Sequence, residues 1–206
     1  MKALPYSTVR RYRTYLYSPE FSAAATSTLG EIDVDPCACA GEQFIRAKQT
    51  WSGLTKRTDG YLQPWNGNVF FNCDNYERPL KNPLTKETIE CPHEFHKMSD
   101  WVDKLKYEME SGRTKQCVGF FPAHMFKGWT HAFVLRNAAA ICFHTRKLSF
   151  YISDIDDQGV HNITKAQYSN VGDGYMTCLF SDSEETLQRF KNAYNDYGTV
   201  VKTSLL

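Results

Sequence analysis

The spacing of apolar and polar positions changes along this chain, and each change marks an element. Pro19 to Leu29 (PEFSAAATSTL) predicts a short helix with small residues on one side, stopped by Gly30. Glu31 to Asp35 alternates acidic and apolar residues and ends at Pro36, the pattern of a short strand opening into a turn. Gln43 to Trp51 predicts a second helix. Asn68 to Asn72 is an apolar strand behind the turn residues Asn66 and Gly67. Ser99 to Ser111 predicts the clearest helix, with Ser99 as N-cap and Trp101, Val102, Leu105 and Met109 near helical spacing. Gln116 to Phe121, Ala139 to Phe143, Leu148 to Ile152 and Tyr175 to Phe180 are predicted strands. Ser183 to Tyr197 predicts a helix closing on Gly198, with a last strand at Thr199 to Val201.

Strands that alternate with helices and are too apolar to face water predict an α/β sheet covered by helices on both faces. The expected organisation is one domain over 1–206, with a basic and aromatic N-terminal arm at 1–16 and a polar loop at 76–98. That loop carries Pro79, Pro83 and Pro92, and loops of such length tend to be functional.

Composition narrows the function classes. A formal charge of +1 excludes a histone-like polycation, so any nucleic-acid contact must come from local patches. The candidates are Arg10, Arg11 and Arg13, interleaved with Tyr12 and Tyr15, and Arg146 with Lys147. Seven cysteines, an odd number set mostly in apolar runs, predict reduced thiols in the cytoplasm rather than a disulfide framework. No stretch approaches the roughly 20 apolar residues that span a bilayer, so no membrane partner is expected.

Two strand ends can carry chemistry, because ligands of open α/β sheets sit beyond the carboxyl ends of strands. Asp35-Pro36-Cys37-Ala38-Cys39-Ala40-Gly41 is a run of small residues that lets backbone approach a ligand, with a carboxylate able to bind a ribose hydroxyl or an ammonium group. Asn72-Cys73-Asp74-Asn75-Tyr76 gathers hydrogen-bonding groups and an aromatic ring, suited to gripping a planar heterocycle by its edge and face. On spacing alone each run is read more simply as an ordinary turn. Cys91, His93 and His96 offer three zinc donors, but no second pair stands at a standard spacing, and no metal site is expected.

Several segments, in order, resemble the phage-type DNA adenine-N6 methyltransferases. Tyr17-Ser18-Pro19-Glu20-Phe21 is similar to the family's Phe/Tyr-Thr-Pro-Pro-Glu opening, and Ile32-Asp33-Val34-Asp35-Pro36 to its first strand. Asp59-Gly60-Tyr61-Leu62-Gln63-Pro64-Trp65 is similar to its Asp-Gly-Leu-x-x-x-Trp segment. Val69-Phe70-Phe71-Asn72 stands where the family has a strand ending in Asn-Pro-Pro-Tyr. Phe120-Phe121-Pro122-Ala123 with Trp129, Phe143 to Phe150, and Phe190 to Val201 resemble its later strands and closing helix. Asn-Pro-Pro-Tyr becomes Asn72-Cys73-Asp74-Asn75, with Tyr76 one place late. The arginine after Pro-Ala is His124 here, and Arg-Gly-Arg becomes Thr145-Arg146-Lys147.

The resemblance implies a compact Rossmann-like sheet, S-adenosylmethionine as cofactor and DNA as partner. It places the protein in the cytoplasm of a phage-infected or prophage-carrying bacterial cell. Asn72, Asp74 and Tyr76 become the implied catalytic residues. Asn72 would accept a hydrogen bond from the adenine amino group, Asp74 a second one, and Tyr76 would stack on the base. Tyr17, Pro19, Asp35, Pro36 and Gly41 become cofactor contacts. The loss of both prolines removes fixed φ angles that hold the family's loop. The alternatives are an inactive methyltransferase-fold protein that binds DNA or a partner, or an enzyme on this scaffold with another donor or acceptor.

Overall fold

Ser18 starts the first helix, α1 (Pro19–Leu29): its hydroxyl accepts the Phe21 N–H at 3.2 Å, and Pro19 occupies the first turn, where its missing N–H costs nothing. Gly30, at φ 76°, ends the helix in a conformation that favours glycine. The computed structural model describes residues 14–38, 44–51, 57, 59–73, 96–145, 148, 150–155, 161–165 and 174–203.

Ten strands are described: β1 (Thr14–Tyr17), β2 (Ile32–Asp35), β3 (Ala47–Thr50), β4 (Gly67–Phe71) and β5 (Thr114–Pro122), then β6 (Ala140–His144), β7 (Phe150–Ile155), β8 (His161–Lys165), β9 (Tyr175–Phe180) and β10 (Gly198–Lys202). Seven of them form a mixed sheet in the order β10-β6-β9-β5-β4-β2-β3. Within it β3, β2, β4 and β5 run parallel, while β9 is antiparallel to both β5 and β6, and β10 is antiparallel to β6. The remaining three make a small antiparallel sheet, β1-β7-β8. The chain is therefore α/β, as expected.

Two helices join α1: α2 (Met98–Glu110) and α3 (Glu184–Tyr194). Period-two alternation in the central strands divides the core between the two faces. Phe70, Val118 and Phe120 meet Phe21, Ala24 and Ala25 of α1 and Phe190 and Tyr194 of α3 on one side. Val69, Phe71, Cys117 and Phe121 meet Trp101, Val102 and Leu105 of α2 on the other, together with Phe133 and Val134 of a π-helical turn at Thr130–Val134.

Three sequence expectations need correction. Gln43 to Trp51 does not form a helix: Ala47–Thr50 is the edge strand β3, and hydrogen bonding to β2 overrides its helix-compatible spacing. Ser99 does not cap α2, which starts at Met98; the Asp100 carboxylate accepts the Lys97 N–H at 2.8 Å and does the capping. The helix after β9 ends at Tyr194, and Gly198 already belongs to β10.

The apolar face of α2 carries one carboxylate, Glu108, which is fully buried. Its Oε2 accepts the Trp65 N–H at 3.3 Å and the Arg113 Nε–H at 2.5 Å, and Lys104 Nζ lies 2.6 Å from Oε1. Burial pushes this carboxyl up, but Arg113, Lys104 and the Trp65 N–H outweigh it and hold it below its ordinary range. A depressed pKa contributes stability above the ordinary carboxylate value, and that stability is lost as pH falls through the folded-state value. Glu108→Gln is expected to flatten the fall in unfolding free energy between about pH 5 and pH 3, measured by urea titration across that window. An unchanged acid profile in the variant would mean that other carboxylates set it.

Candidate functional site

Because β2, β4 and β5 are parallel, their carboxyl ends reach the same edge of the sheet. The chain leaves β2 for β3 on one side, whereas β4 and β5 lie on the other, so the connections diverge between β2 and β4. That divergence is the topological switch point, where open α/β sheets leave a crevice for ligands. Only Gly30 and Glu31 separate α1 from β2, so α1 runs back against the strand direction. Its 11 residues rise about 16 Å, enough to bring its N-terminus, with Pro19 exposed, toward the carboxyl edge.

On the β2 side, Asp35 is 5 % exposed. Its Oδ1 accepts the Cys37 N–H at 3.1 Å, and its carbonyl accepts the Trp51 N–H at 3.0 Å. This local bond turns the chain sharply at Pro36, which is buried. Gly60 packs directly on that turn, where an added Cβ would lie 2.0 Å from the Pro36 carbonyl oxygen. Gly60→Ala is expected to cost about 1–3 kcal/mol, since backbone rather than a flexible side chain must give way. Thermal unfolding checks this, and an unchanged midpoint would show that the Pro36 turn can shift freely.

The segment around Gly60 builds a second wall. Asp59, 4 % exposed, accepts the Tyr61 N–H through Oδ1 at 3.0 Å, and its Oδ2 lies 3.7 Å from His96 Nε2. The His96 ring stacks on Tyr61 with centroids 3.6 Å apart, and Trp101 meets both rings edge-on. Trp65 donates from Nε1 to the Gly60 carbonyl at 2.8 Å. The Asp-Gly-Tyr…Trp run singled out in the sequence thus supports the Asp35–Pro36 turn from outside the sheet. His96 is tied to Asp59 and Tyr61 here.

On the β4 side, Asn72 is half-buried, and its side chain makes no hydrogen bond to any described residue. Cys73 follows and is disulfide-bonded to Cys37, with a Cα–Cα distance of 5.2 Å. This bond corrects the expectation of reduced thiols throughout, although Cys117, Cys142 and Cys178 are free and buried as expected. Nothing in local sequence signals the pairing. It follows from two adjacent parallel strands each placing a cysteine just past the carboxyl end.

The structure therefore brings Asp35 and Pro36, at the end of β2, beside Asn72, at the end of β4, with Cys37 and Cys73 bonded between the two strand ends. Tyr17 is described as backbone only, paired with Phe150 in the small sheet. Gly41, Asp74, Tyr76, Arg10, Arg11, Arg13, Arg146 and Lys147 lie outside the described residues, as do Cys91 and His93. Among the described residues no three His, Cys, Asp or Glu side chains are grouped to hold a metal ion. No helix among them is long and apolar enough to cross a membrane. Comparisons with family models, curated proteins and solved structures give no match.

Proposed function

We propose that the chain is an S-adenosylmethionine-dependent DNA methyltransferase that transfers a methyl group to the N6 amino group of adenine. The observation that carries this reading is the meeting of two strand ends at the switch point, where open α/β sheets bind ligands. A buried acidic turn, Asp35-Pro36, lies beside a half-buried Asn72 whose amide makes no bond to a described residue, and the Cys37–Cys73 bond joins the two strand ends. The parallel strands β3, β2, β4 and β5, with antiparallel β9 between β5 and β6 and antiparallel β10 at the edge beyond β6, support a compact Rossmann-like sheet of the methyltransferase kind.

The donor set suits such a cofactor. Asp35 keeps a carboxylate among small residues, where it can take a ribose hydroxyl or an ammonium group, and Pro36 shapes the floor beneath it. Pro19 and Tyr17 stand at the start of α1, whose N-terminal dipole favours negative charge nearby. Gly41 continues the same loop in sequence. S-adenosylmethionine, when bound, supplies a sulfonium methyl that a weak nucleophile can displace in line.

An adenine amino group is a poor nucleophile because its lone pair is delocalised into the ring. Asn72 answers that by accepting a hydrogen bond from the amino group and aiming it, a positioning effect that lowers the barrier without a titrating base. Asp74 can accept a second hydrogen bond, and Tyr76 can stack on a base drawn out of the helix, returning part of the few kcal/mol that flipping costs. Arg10, Arg11, Arg13, Arg146 and Lys147 are the phosphate contacts of this reading.

The test is direct. Purified protein is incubated with unmethylated DNA and labelled S-adenosylmethionine, the DNA is digested, and the labelled nucleoside is identified by mass. N6-methyladenosine is the expected product. Label on another nucleoside would reassign the acceptor, and no label in a protein that binds the cofactor would sink the transferase reading.

A further inference from the structure

The free cysteines described, Cys117, Cys142 and Cys178, sit inside β5, β6 and β9, and burial pushes their thiols up and keeps them inert. The Cys37–Cys73 bond is placed differently. β2 ends at Asp35 and β4 at Phe71, so the bond lies past both strands. Its two sulfurs also differ in access. Cys73 is 4 % exposed and packs in the apolar cluster with Phe71 and Trp101, whereas Cys37 is half-buried. Thiol–disulfide exchange needs a thiolate to reach one sulfur of the bond, and access decides which sulfur is attacked. Cys37 is therefore the sulfur attacked, and Cys73 the leaving group. The Cα–Cα distance of 5.2 Å is close to the ~4.8 Å between neighbouring strands, so the bonded and open forms fit the same sheet.

The two strand ends depend on the bond unequally. The β2 end is held without it, because Asp35 accepts the Cys37 N–H through Oδ1 and the Trp51 N–H through its carbonyl, and Gly60 packs on Pro36. On the β4 side the Asn72 side chain bonds to no described residue. Past the paired residues Val34 and Val69, the Cys37–Cys73 bond is the described covalent link between that end and β2.

We propose that the Cys37–Cys73 bond is a redox switch on Asn72: a dithiol reductant opens it at Cys37, which frees the β4 end and leaves the Asp35–Pro36 turn in place. The inference rests on the function proposed above for what Asn72 does, and on the two strand ends for the switch itself. In the first step the reductant's thiolate bonds to Cys37 Sγ. The bond to Cys73 breaks with its electron pair on Cys73, which leaves as a thiolate and takes up a proton. The reductant's second thiol then displaces Cys37, which also leaves as a thiolate and is protonated. The protein gains two electrons and two protons, and the reductant becomes a disulfide.

Amide hydrogen exchange on the full chain, oxidised and after dithiothreitol treatment, reads the switch without any methyl transfer. Exchange at Asn72 and Cys73 is expected to rise about tenfold or more on reduction, while that at Asp35 and Cys37 stays within about twofold. Methyl transfer is expected to fall about tenfold or more, the effect of a loosened positioning group, with cofactor-induced thermal stabilisation kept. The double variant Cys37→Ser with Cys73→Ser should match the reduced protein whether or not dithiothreitol is present. Glutathione disulfide tests the direction of attack. Cys73→Ser should take up glutathione at Cys37, and Cys37→Ser should leave Cys73 unmodified, both read by fragment mass. A bond that survives dithiothreitol, glutathione on Cys73 rather than Cys37, or a rise in exchange at both strand ends alike overturns the proposal. So does methyl transfer that is equal in the oxidised, reduced and double-serine proteins. The expected exchange and trapping with no methyl transfer in either state uphold the switch and remove the transferase reading.

Discussion

Replacing Cys37 and Cys73 together by serine is expected to lower the unfolding free energy by about 4 kcal/mol, the entropy returned to the unfolded chain when a loop of this length is opened. The two cysteines are 36 residues apart, and the intervening chain includes β3 and the Asp59–Trp65 wall. Breaking the bond therefore frees that whole stretch in the unfolded ensemble. The bond also has a local consequence. Where the resembling family has two prolines after its asparagine, this chain has Cys73 and Asp74, and the fixed φ angles are gone. The disulfide ties the residue after Asn72 to the residue after Pro36 and so restrains both strand ends. Reshuffling with the free thiols described in the core is disfavoured, because burial pushes Cys142 up to about 12 and Cys117 and Cys178 up as well, leaving little thiolate to attack. Urea unfolding of the oxidised protein, the dithiothreitol-treated protein and the double serine variant decides the matter. The last two should coincide, well below the first. An unchanged midpoint after reduction would mean that the bridge carries no stability, and methyl transfer should then be indifferent to reductant too.

The elements that were legible in the sequence carried their own boundary signals. Ser18, Pro19 and Gly30 frame α1, and β9 is a run apolar but for Thr177, set between Gly174 and Ser181, so both were read with the bounds they adopt. β3 was misread because its residues are half-buried or exposed, and only pairing with β2 makes Ala47–Thr50 a strand. β1 and β8 escaped for a related reason: each is paired only with β7, in registers such as Thr14↔Ser153 that join distant parts of the chain. The site divides in the same way. Asp35 and Asn72 could be singled out because each closes a predicted strand. That their strands are neighbours could not be read, nor that Cys37 reaches Cys73, since both facts depend on sheet order. The pairing of Asp59 and Tyr61 with His96 joins positions more than 30 residues apart, across a stretch (74–95) outside the described residues, and no local pattern announces it.

If the chain is the methyltransferase proposed above, Asn72→Ala is expected to lower the rate of methyl transfer by at least about a hundredfold, the usual cost of removing one preorganised hydrogen-bonding group from a reacting centre. The same substitution should change stability by no more than about 0.5 kcal/mol, because the side chain is half-buried and makes no bond to a described residue whose loss would have to be made good. Cofactor-induced thermal stabilisation should also persist, since Asp35, Pro36 and the start of α1 stand on other elements. That combination distinguishes a residue that aims the substrate from one that holds the fold. Asn72→Asp sharpens the test. A carboxylate still accepts a hydrogen bond from the adenine amino group but offers no N–H of its own and adds charge near the DNA, so part of the lost rate should return. If Asn72→Ala transfers methyl groups at the parent rate, the acceptor is held elsewhere, and the crevice between β2 and β4 binds something other than adenine. If both variants are inactive and also unfold early, Asn72 serves the strand end instead, and its lack of a bond to the described residues is no sign of a substrate.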